Sequence, residues 1–486
     1  MIVTGKLSKM NVEVLKKILV PRPLYSVLKS RRYSQSVEDI FRFYDDQPSH
    51  MLELKERYRT LDEKDYNRFL SKRAMKREPA LTRQLTSLAY KVGKEMLSLA
   101  EGMPNEAIFP FTRLEMSTRS GNTLVLDEKE LASALQYLPS QGLPSLLKEL
   151  RQFQQDLHRP PPLSRDVIVT NGAQHGIYQC VEMLVDPGDP IITTEYTYTG
   201  IHSALKPYQP EIIGIPEDEN GLIPETLDSV LKERLARGLK MPRLLYFIPT
   251  GNNPTGTVLS VERRRQIYEL ACKYDFLLVE DDPYMFLNYN KAPPPSFLSM
   301  DVCGRVIRLD SVSKVISSGL RAGWLTAPTA LMHRAELHAQ AELLHSCTLS
   351  QTILLNLLSN RSALASHLLS TRSFYELRRN ALSSAMRGIE GLADWSEPTA
   401  GLFHWVRVRG IEDVYNMVFH VAFQRGLILI PGQAFLYDSG ATCPYIRLTF
   451  SKINMNDMET AIRYLADIIR EEQKLVKQPK RLATER

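Results

Sequence analysis

The chain has 486 residues, of which 43% are hydrophobic and 24% are charged, a composition typical of globular proteins. The length indicates two or three domains or one large two-lobed enzyme, and no apolar run reaches the roughly 20 residues that a membrane helix needs. The net charge of +6 does not indicate nucleic-acid binding, because residues 1–33 carry eight basic side chains against one acid and the rest is close to neutral.

Residues 1–33 form a basic segment that contains serines. Over residues 10–20, valine and leucine recur on one helical face while lysines lie elsewhere, which is the pattern of an amphipathic import peptide. The run from Arg31 to Ser34 is similar to a matrix-protease cleavage site. We therefore expect a mitochondrial targeting peptide; the alternative is a disordered basic tail. Residues 34–64 are acidic and mixed, which indicates a solvated helix or a disordered spacer.

From about Asp65 onward, short apolar runs alternate with loops and helical patterns. Runs of four or five residues rich in Val, Ile, Leu and Phe are typical of parallel strands that are covered on both faces. This alternation predicts an α/β fold, in which ligands bind beyond the carboxyl ends of the strands. The C-terminal third begins with helical patterns and ends with mixed strands, which predicts a smaller α/β domain. The predicted strands are 167–170, 244–248, 276–279 and 306–309, and the clearest predicted helix is 261–274.

A serine-rich segment with a lysine, residues 311–321 (SVSKVISSGLR), follows the last of these strands. A lysine at that position can lie in a dry cleft, where desolvation lowers its pKa toward nucleophilic use. The serine hydroxyls and Arg321 suit a phosphate. The segment therefore predicts the lysine and phosphate site of a Schiff-base enzyme; the alternative is a serine-rich loop with a solvated lysine.

Three more polar segments follow predicted strands. Residues 280–284 (EDDPY) supply carboxylates of the kind that keep a pyridine nitrogen protonated. Residues 249–256 (PTGNNPTG) form a polar loop whose asparagine amides can donate to a phenolate oxygen. Residues 170–176 (TNGAQHG) lead into a helix whose first N–H groups can bind phosphate. Each segment alone is also typical of an ordinary turn, and the histidines, including His175, are assigned no catalytic role.

Together these motifs resemble the fold-type I pyridoxal-phosphate aminotransferases of class I/II, and within them the kynurenine/2-aminoadipate aminotransferase branch. The resemblance covers about residues 65–472. It rests on seven motifs in the order of the family: LSLAEGMPNEAIFPF (97–111), ALQYLPSQG (134–142), YTYTG (196–200), GNNPTG (251–256), EDDPY (280–284), SVSKVISSGLRAGWLTAP (311–328) and PYIRLTFS (444–451).

The resemblance implies a large cofactor-binding domain with a mostly parallel seven-stranded sheet covered by helices, a smaller α/β C-terminal domain and a homodimer. We expect no metal, nucleic-acid or membrane partner. The predicted segments are a targeting peptide (1–33), an acidic spacer (34–64), an N-terminal arm with part of the small domain (65–125), the large domain (126–335), the small domain (336–472) and a basic tail (473–486).

The resemblance also implies a role for each matched residue around the cofactor ring. Lys314 holds pyridoxal phosphate covalently and transfers a proton. Asp281 pairs with the pyridine nitrogen; it is preferred over its neighbour because the motif is Asp-x-x-Tyr. Tyr284 and Asn253 bind the phenolic oxygen, and Tyr198 stacks on the ring.

The remaining implied roles concern the phosphate and the substrate. Arg447 clamps the substrate α-carboxylate, near which Asn253 also lies, and Gly102 and Arg83 line the substrate pocket. Tyr137 reaches the phosphate of the neighbouring subunit. The residues that hold the phosphate within one subunit are Ala173 through its backbone, Gln174, Ser311, Ser313 and Arg321.

The expected reaction is transamination of L-kynurenine, L-2-aminoadipate or both with 2-oxoglutarate, giving a 2-oxo acid and L-glutamate. Two residues depart from the family pattern: Ala173 replaces a serine and Glu101 replaces a glycine, so phosphate contact and substrate preference are open. One alternative is a broad aromatic or branched-chain aminotransferase, or a β-lyase on the same scaffold. A second alternative is a winged-helix regulator, but residues 34–63 are acidic, whereas a DNA-binding domain would be basic. A third is a non-catalytic paralogue, and the retention of Lys314, Asp281 and Arg447 argues against it.

Overall fold

The computed structural model describes residues 49–82, 99, 102–119, 121–290 and 293–477. The predicted targeting peptide, Arg83 and Glu101 lie outside these residues. Among the helices of the described residues, none combines the length and the hydropathy that crossing a membrane requires.

The strands of the described residues form four sheets, of seven, four, two and two strands. In chain order they are β1 (Leu114–Ser117), β2 (Thr123–Leu126), β3 (Arg165–Thr170), β4 (Pro190–Thr194), β5 (Glu211–Ile215), β6 (Glu217–Asp218), β7 (Gly221–Leu222), β8 (Leu244–Phe247), β9 (Leu277–Asp281), β10 (Val306–Ser311), β11 (Gly323–Pro328), β12 (Ala393–Trp395), β13 (Phe403–Val408), β14 (Ile430–Pro431) and β15 (Tyr445–Thr449).

The α-helices flank the two larger sheets, and several begin at a side-chain cap. Ser260 accepts a hydrogen bond from the backbone of Arg263, and Asp127 and Glu130 form a capping box. The helices are α1 (Ser49–Arg57), α2 (Lys72–Met75), α3 (Glu128–Ala134), α4 (Pro144–His158), α5 (Ala173–Leu184), α6 (Thr199–Leu205), α7 (Pro224–Ala236), α8 (Val261–Tyr274), α9 (Phe297–Met300), α10 (Thr329–Glu342), α11 (Thr348–Ser359), α12 (Arg361–Met386) and α13 (Met458–Lys477).

The large sheet has the strand order β3-β11-β10-β9-β8-β4-β5. Only β11 runs antiparallel to its neighbours among these described strands; the other pairs are parallel. The expected α/β fold with a mostly parallel seven-stranded sheet is therefore confirmed.

Both faces of this sheet are buried, which explains the continuous apolar runs. In β8, Leu244 and Tyr246 belong to one hydrophobic core, whereas Leu245 and Phe247 belong to a second core. Successive side chains of a strand point to opposite faces, so the sheet separates the two cores. Helix α1 buries Met51 in the second core, so part of the predicted 34–64 spacer packs against the large sheet.

The four-stranded sheet has the order β12-β13-β15-β14, and its described strand pairs are antiparallel. Its inner side chains share a core with α12 and α13, including Val406, Ile446, Leu382 and Ile462. Residue Arg447 lies in β15 between Trp405 of β13 and Ile430 of β14. The sheet thereby places this arginine on a rigid central strand.

The observed elements agree closely with the predicted ones. The four predicted strands correspond to β3, β8, β9 and β10, and the predicted helix 261–274 is α8. Two predicted boundaries fall inside helices: α10 runs across 335–336, and α13 continues to Lys477, within the segment predicted as a tail. Residues 478–486 lie outside the described residues.

Candidate active site

The predicted site residues meet at the carboxyl edge of the large sheet. Asp281 is the last residue of β9, Lys314 follows β10, Asn253 lies in the loop after β8, and Tyr198 follows β4. Because parallel strands end at the same edge, these loops converge there. Motifs that each follow a strand in the sequence therefore lie close together in the structure.

Asp281 is a buried carboxylate with one free oxygen. The residue is 2% exposed, and its Oδ2 accepts a hydrogen bond from the Tyr246 hydroxyl at 2.7 Å. Its Oδ1 has no partner among the described residues. Burial raises the pKa of Asp281 to about 7, against the opposing hydrogen bond from Tyr246. A buried oxygen of this kind suits a positively charged N–H donor.

Lys314 is half-buried beside this carboxylate. Desolvation lowers the pKa of its amine, and the positive charges of Arg447 and Arg321 act in the same direction, whereas Asp281 opposes them. A lowered pKa increases the fraction of uncharged, nucleophilic amine. These couplings indicate that Lys314, Asp281 and both arginines lie near one another at the carboxyl edge of the large sheet.

Two tyrosines couple electrostatically to the same charged residues. Burial raises the pKa of Tyr284, with Asp281 adding to the effect and Arg447 opposing it. Burial likewise raises the pKa of Tyr198, with Asp281 adding and Arg321 opposing. Both phenols therefore stay protonated near neutral pH and can donate hydrogen bonds.

Asn253 joins the large sheet to the small one. The loop that carries it is fixed by Glu217, whose carboxylate accepts from Asn252 Nδ2 at 2.9 Å and from Thr257 Oγ1 at 3.1 Å. Asn253 Oδ1 in turn accepts a hydrogen bond from Arg447 Nη1 at 2.8 Å. This contact orients the guanidinium between the two domains.

Aromatic rings enclose the Arg447 guanidinium. Its Cζ lies 4.3 Å from the ring centre of Phe403 and 5.0 Å from that of Phe435. The ring of Tyr284 meets Phe403 edge to face at 5.9 Å. The Nε of Arg447 has no partner among the described residues. A half-buried guanidinium with free donors between rings can bind a carboxylate through two parallel hydrogen bonds.

An anion cradle lies at the start of α5. Gly172 precedes Ala173 with a φ of +75°, and a Cβ there would lie 2.7 Å from Arg321 Nη2, so the arginine packs directly against this loop. Exposed N–H groups and the helix dipole favour an anion at such a terminus. Gln174 Nε2 donates to Gly200 O at 3.1 Å.

Hydroxyl groups lie near the same lysine. Ser311 Oγ donates to Ser313 Oγ at 2.9 Å, and the Ser313 backbone N–H donates to Ser311 Oγ at 3.2 Å. Both serines are half-buried. They form a compact pair of donors next to Lys314.

Two predicted site residues are not brought into this cluster. Tyr137 is 42% exposed, and its ring contacts His345 at 5.7 Å. Gly102 is exposed, with no described atom beyond its chain neighbours within 4 Å of a Cβ built there. Arg83 lies outside the described residues.

The sequence reasoning did not single out the partners of the carboxylates. Fully buried Arg308 lies 3.0 Å from Glu280, 3.4 Å from Asp282 and 2.9 Å from Asp310, whereas Asp281 binds Tyr246. The alternation of side chains along a strand was the available signal, because it puts Asp281 on the opposite face from its two acidic neighbours.

Comparison with known proteins identifies the family. A family model described as aminotransferase class I and II matches residues 94–465. The chain belongs to this family. It is 40% identical to the mitochondrial kynurenine/alpha-aminoadipate aminotransferase of Mus musculus over 84% of this chain and 99% of the relative. It is 33% identical to an aromatic amino acid aminotransferase of Dictyostelium discoideum over 84% and 88%, respectively.

Solved aminotransferases share the fold. The kynurenine aminotransferase of Pyrococcus horikoshii, in complex with PMP, superposes with a TM-score of 0.66 at 29% identity, over 84% of this chain and 98% of that chain. The multiple substrate aminotransferase of Thermococcus profundus gives a TM-score of 0.68 at 30% identity, over 85% and 100%. Family and complex imply pyridoxal phosphate as the cofactor of this aminotransferase.

The residues of this aminotransferase fit that cofactor. The partnerless Oδ1 of Asp281 suits a protonated pyridine nitrogen, and the start of α5 with Arg321 suits a phosphate. Lys314, with its lowered pKa, suits a covalent link to an aldehyde. Ala173 contributes no hydroxyl, which leaves its backbone N–H for the phosphate.

Proposed function

We propose that this aminotransferase moves the amino group of L-kynurenine, L-2-aminoadipate or both to 2-oxoglutarate, giving the 2-oxo acid and L-glutamate. The observation that carries the proposal is the convergence of Lys314, Asp281 and Arg447 in a chain that matches kynurenine/alpha-aminoadipate aminotransferases along nearly their whole length. The reaction needs an amine, a ring-nitrogen partner and a carboxylate clamp, and these residues supply them.

Lys314 and Asp281 divide the proton chemistry. When bound, pyridoxal phosphate supplies an electron sink that makes the substrate Cα–H bond acidic. Lys314 would hold the cofactor until the substrate amine displaces it, and its freed, uncharged Nζ would then take the proton from the substrate Cα and deliver it to C4′ of the cofactor. Asp281 holds a proton on the pyridine nitrogen, with Tyr246 fixing the orientation of the carboxylate.

Arg447 and Asn253 orient the substrate. Arg447 binds the α-carboxylate through its fork of N–H donors, and Asn253 fixes the guanidinium and reaches the phenolic oxygen together with Tyr284. Tyr198 stacks on the ring. The family resemblance assigns Gly102 and Arg83 to the pocket for the substrate side chain, although Gly102 lies outside the cluster of described site residues.

The phosphate and the dimer complete the site. The Ala173 backbone, Gln174, Ser311, Ser313 and Arg321 hold the phosphate from within the subunit. Tyr137 extends to the phosphate of a second copy of the chain in a homodimer; its exposure in one subunit supports this role.

The mitochondrial matrix is the proposed location. The basic, acid-poor composition of residues 1–33 supports import, and the relatives from Mus musculus, Bos taurus and Rattus norvegicus are named mitochondrial. Cleavage between Tyr33 and Ser34 then gives a mature chain that keeps the remaining predicted segments.

Steady-state assays test the proposed substrates. Purified protein with pyridoxal phosphate is given 2-oxoglutarate and, separately, kynurenine, 2-aminoadipate, phenylalanine or leucine, and glutamate is measured. The kcat/KM for kynurenine or 2-aminoadipate should exceed that for the other two by about tenfold or more. Absence of glutamate with every donor contradicts the proposal and leaves a non-catalytic paralogue.

A broad aromatic aminotransferase is the second candidate. The aromatic amino acid aminotransferase of Dictyostelium discoideum at 33% identity favours it, and Glu101 replaces a glycine next to the expected pocket residue Gly102. A kcat/KM for phenylalanine that exceeds those for kynurenine and 2-aminoadipate selects this candidate.

A further inference from the structure

The loop between β3 and α5 also makes hydrogen bonds that have no direct part in anion binding. Asn171 follows β3 and precedes Gly172. Its carbonyl accepts a hydrogen bond from Arg321 Nη2 at 2.9 Å, and its backbone N–H donates to His175 Nδ1 at 3.1 Å. One backbone residue therefore links Arg321 to a histidine that has no part in the proposed chemistry.

The contact with Asn171 fixes the proton on the His175 ring. A backbone N–H can only donate, so Nδ1 accepts and the proton of the neutral ring lies on Nε2. Nε2 lies 3.0 Å from Glu342 Oε2, at the end of α10, and donates to that carboxylate. The His175 side chain is 7% exposed. The ring is therefore held at both nitrogens and screened from water.

Arg321 depends on the Asn171 carbonyl for its position. Its backbone has a φ of +49°, in the left-handed region that side chains with a Cβ rarely adopt. Its Nη1 donates to Ser318 O at 3.1 Å, and its Nη2 donates to Asn171 O. These contacts use two of the five N–H donors of the guanidinium and leave the others for an anion at the start of α5.

We propose that His175 is a positioning residue for the phosphate-binding loop. Braced by Glu342, it holds Asn171 so that the Asn171 carbonyl orients Arg321 toward the cofactor phosphate. The inference rests on the proposed phosphate role of Arg321. It assigns a function to a contact between α5 and α10 that joins residues far apart in the sequence.

The chain offers a matched control. His338 Nδ1, on α10, lies 3.2 Å from the same Glu342 oxygen. Both histidine side chains are buried, and the hydrogen bonds described for Asn171 go to His175 and Arg321. A change at His338 therefore perturbs the same carboxylate without removing the acceptor for the loop.

The test compares pyridoxal phosphate with pyridoxal, which lacks the phosphate, in binding to the cofactor-free protein. In His175→Phe, the Kd of pyridoxal phosphate should rise about tenfold or more, while the Kd of pyridoxal stays within about twofold of wild type. His175→Gln keeps one acceptor and one donor and should restore the first Kd to within about threefold. His338→Gln should bind both compounds as the wild type does.

Three results overturn the inference. They are an unchanged Kd of pyridoxal phosphate in His175→Phe, equal losses for both compounds in that variant, or a loss in His338→Gln as large as that in His175→Phe. The thermal midpoint of each cofactor-free variant shows whether it is folded. Failure of the proposed function can be distinguished from failure of this inference. In the former case, the wild type itself binds no pyridoxal phosphate or forms no glutamate from any donor.

Discussion

Burial sets the chemistry of the individual residues in this site. Asp281 has one oxygen bound to Tyr246 and one without a partner among the described residues, and its pKa rises to about 7. Lys314, which is electrostatically coupled to Asp281, has a lowered pKa. The cofactor-free protein therefore keeps an under-compensated acid beside a readily deprotonated amine, an arrangement that a cationic ring nitrogen and a covalent link would relieve.

Asp281→Asn should change how the stability of the cofactor-free protein depends on pH. The folded pKa of about 7 lies above the unfolded value of roughly 4, so the stabilising contribution is complete below the unfolded pKa and is lost as pH rises through the folded pKa. Asparagine is neutral throughout. The free energy of unfolding of the variant should therefore rise relative to wild type between about pH 5 and pH 8, as measured by urea denaturation. A difference independent of pH contradicts the raised pKa.

A strand pattern constrains which single residues the sequence can nominate for the site. The Asp-x-x-Tyr motif selects Asp281, and strand alternation agrees, because Glu280 and Asp282 pair with Arg308 on the other face. The contact of His175 with Glu342 was not predicted. It joins residues 167 positions apart, and nothing in the local pattern of either helix encodes that pairing.

At the scale of elements, the site depends on where strands end and helices begin. The apolar runs predict β3, β8, β9 and β10 because a doubly covered sheet needs apolar side chains on both faces. The antiparallel insertion of β11 next to β3 was not predicted, since strand order depends on contacts distant in sequence.

Gly172→Ala should weaken cofactor binding because it disturbs the start of α5, where the cofactor phosphate is proposed to bind. The new Cβ would lie 2.7 Å from Arg321 Nη2, and a φ of +75° with a ψ of 172° lies in a region that essentially only glycine adopts. We expect the Kd of pyridoxal phosphate to rise about tenfold, together with a loss of stability of about 1–3 kcal/mol. Titration of the cofactor-free protein and urea denaturation measure the two effects.

Gly188→Ala is the control for that substitution. Gly188 has the same φ of +75°, and no described atom beyond its chain neighbours lies within 4 Å of a Cβ built there. Its positive φ also disfavours alanine, so this variant should lose stability while it keeps normal cofactor affinity. Equal affinity losses in both variants would show that backbone strain, rather than displacement of Arg321, weakens binding.

At the scale of the whole molecule, the site lies between two sheets. Asn253 belongs to a loop of the large sheet and Arg447 to the small sheet, and their hydrogen bond spans the boundary. The sequence indicates both domains, but the predicted boundary at 335–336 falls within α10. A continuous helix can connect two domains, so composition and periodicity do not mark the transition.

Mixed dimers test the proposed contribution of Tyr137 to a neighbouring subunit. Tyr137→Phe alone should lower affinity for pyridoxal phosphate, and Lys314→Ala alone should be inactive. Because a mixed dimer contains one site with Lys314 and the partner subunit's Tyr137, co-expression should restore activity at limiting cofactor. Activity no greater than that of the separately purified variants combined contradicts the contribution of Tyr137, and a monomer in size-exclusion chromatography with light scattering contradicts the dimer.

The most direct measurement of the central claim is an absorbance scan of Lys314→Arg beside wild type, before and after adding kynurenine or 2-aminoadipate. Wild type should carry a band at roughly 360–420 nm that falls on addition of the amino donor, as pyridoxal cofactors behave. Lys148→Arg, which changes an exposed lysine of α4, should match the wild type. Lys314→Arg should lack both the band shift and glutamate formation. A variant that keeps the coloured cofactor and transfers amino groups at the wild-type rate contradicts the assignment of Lys314.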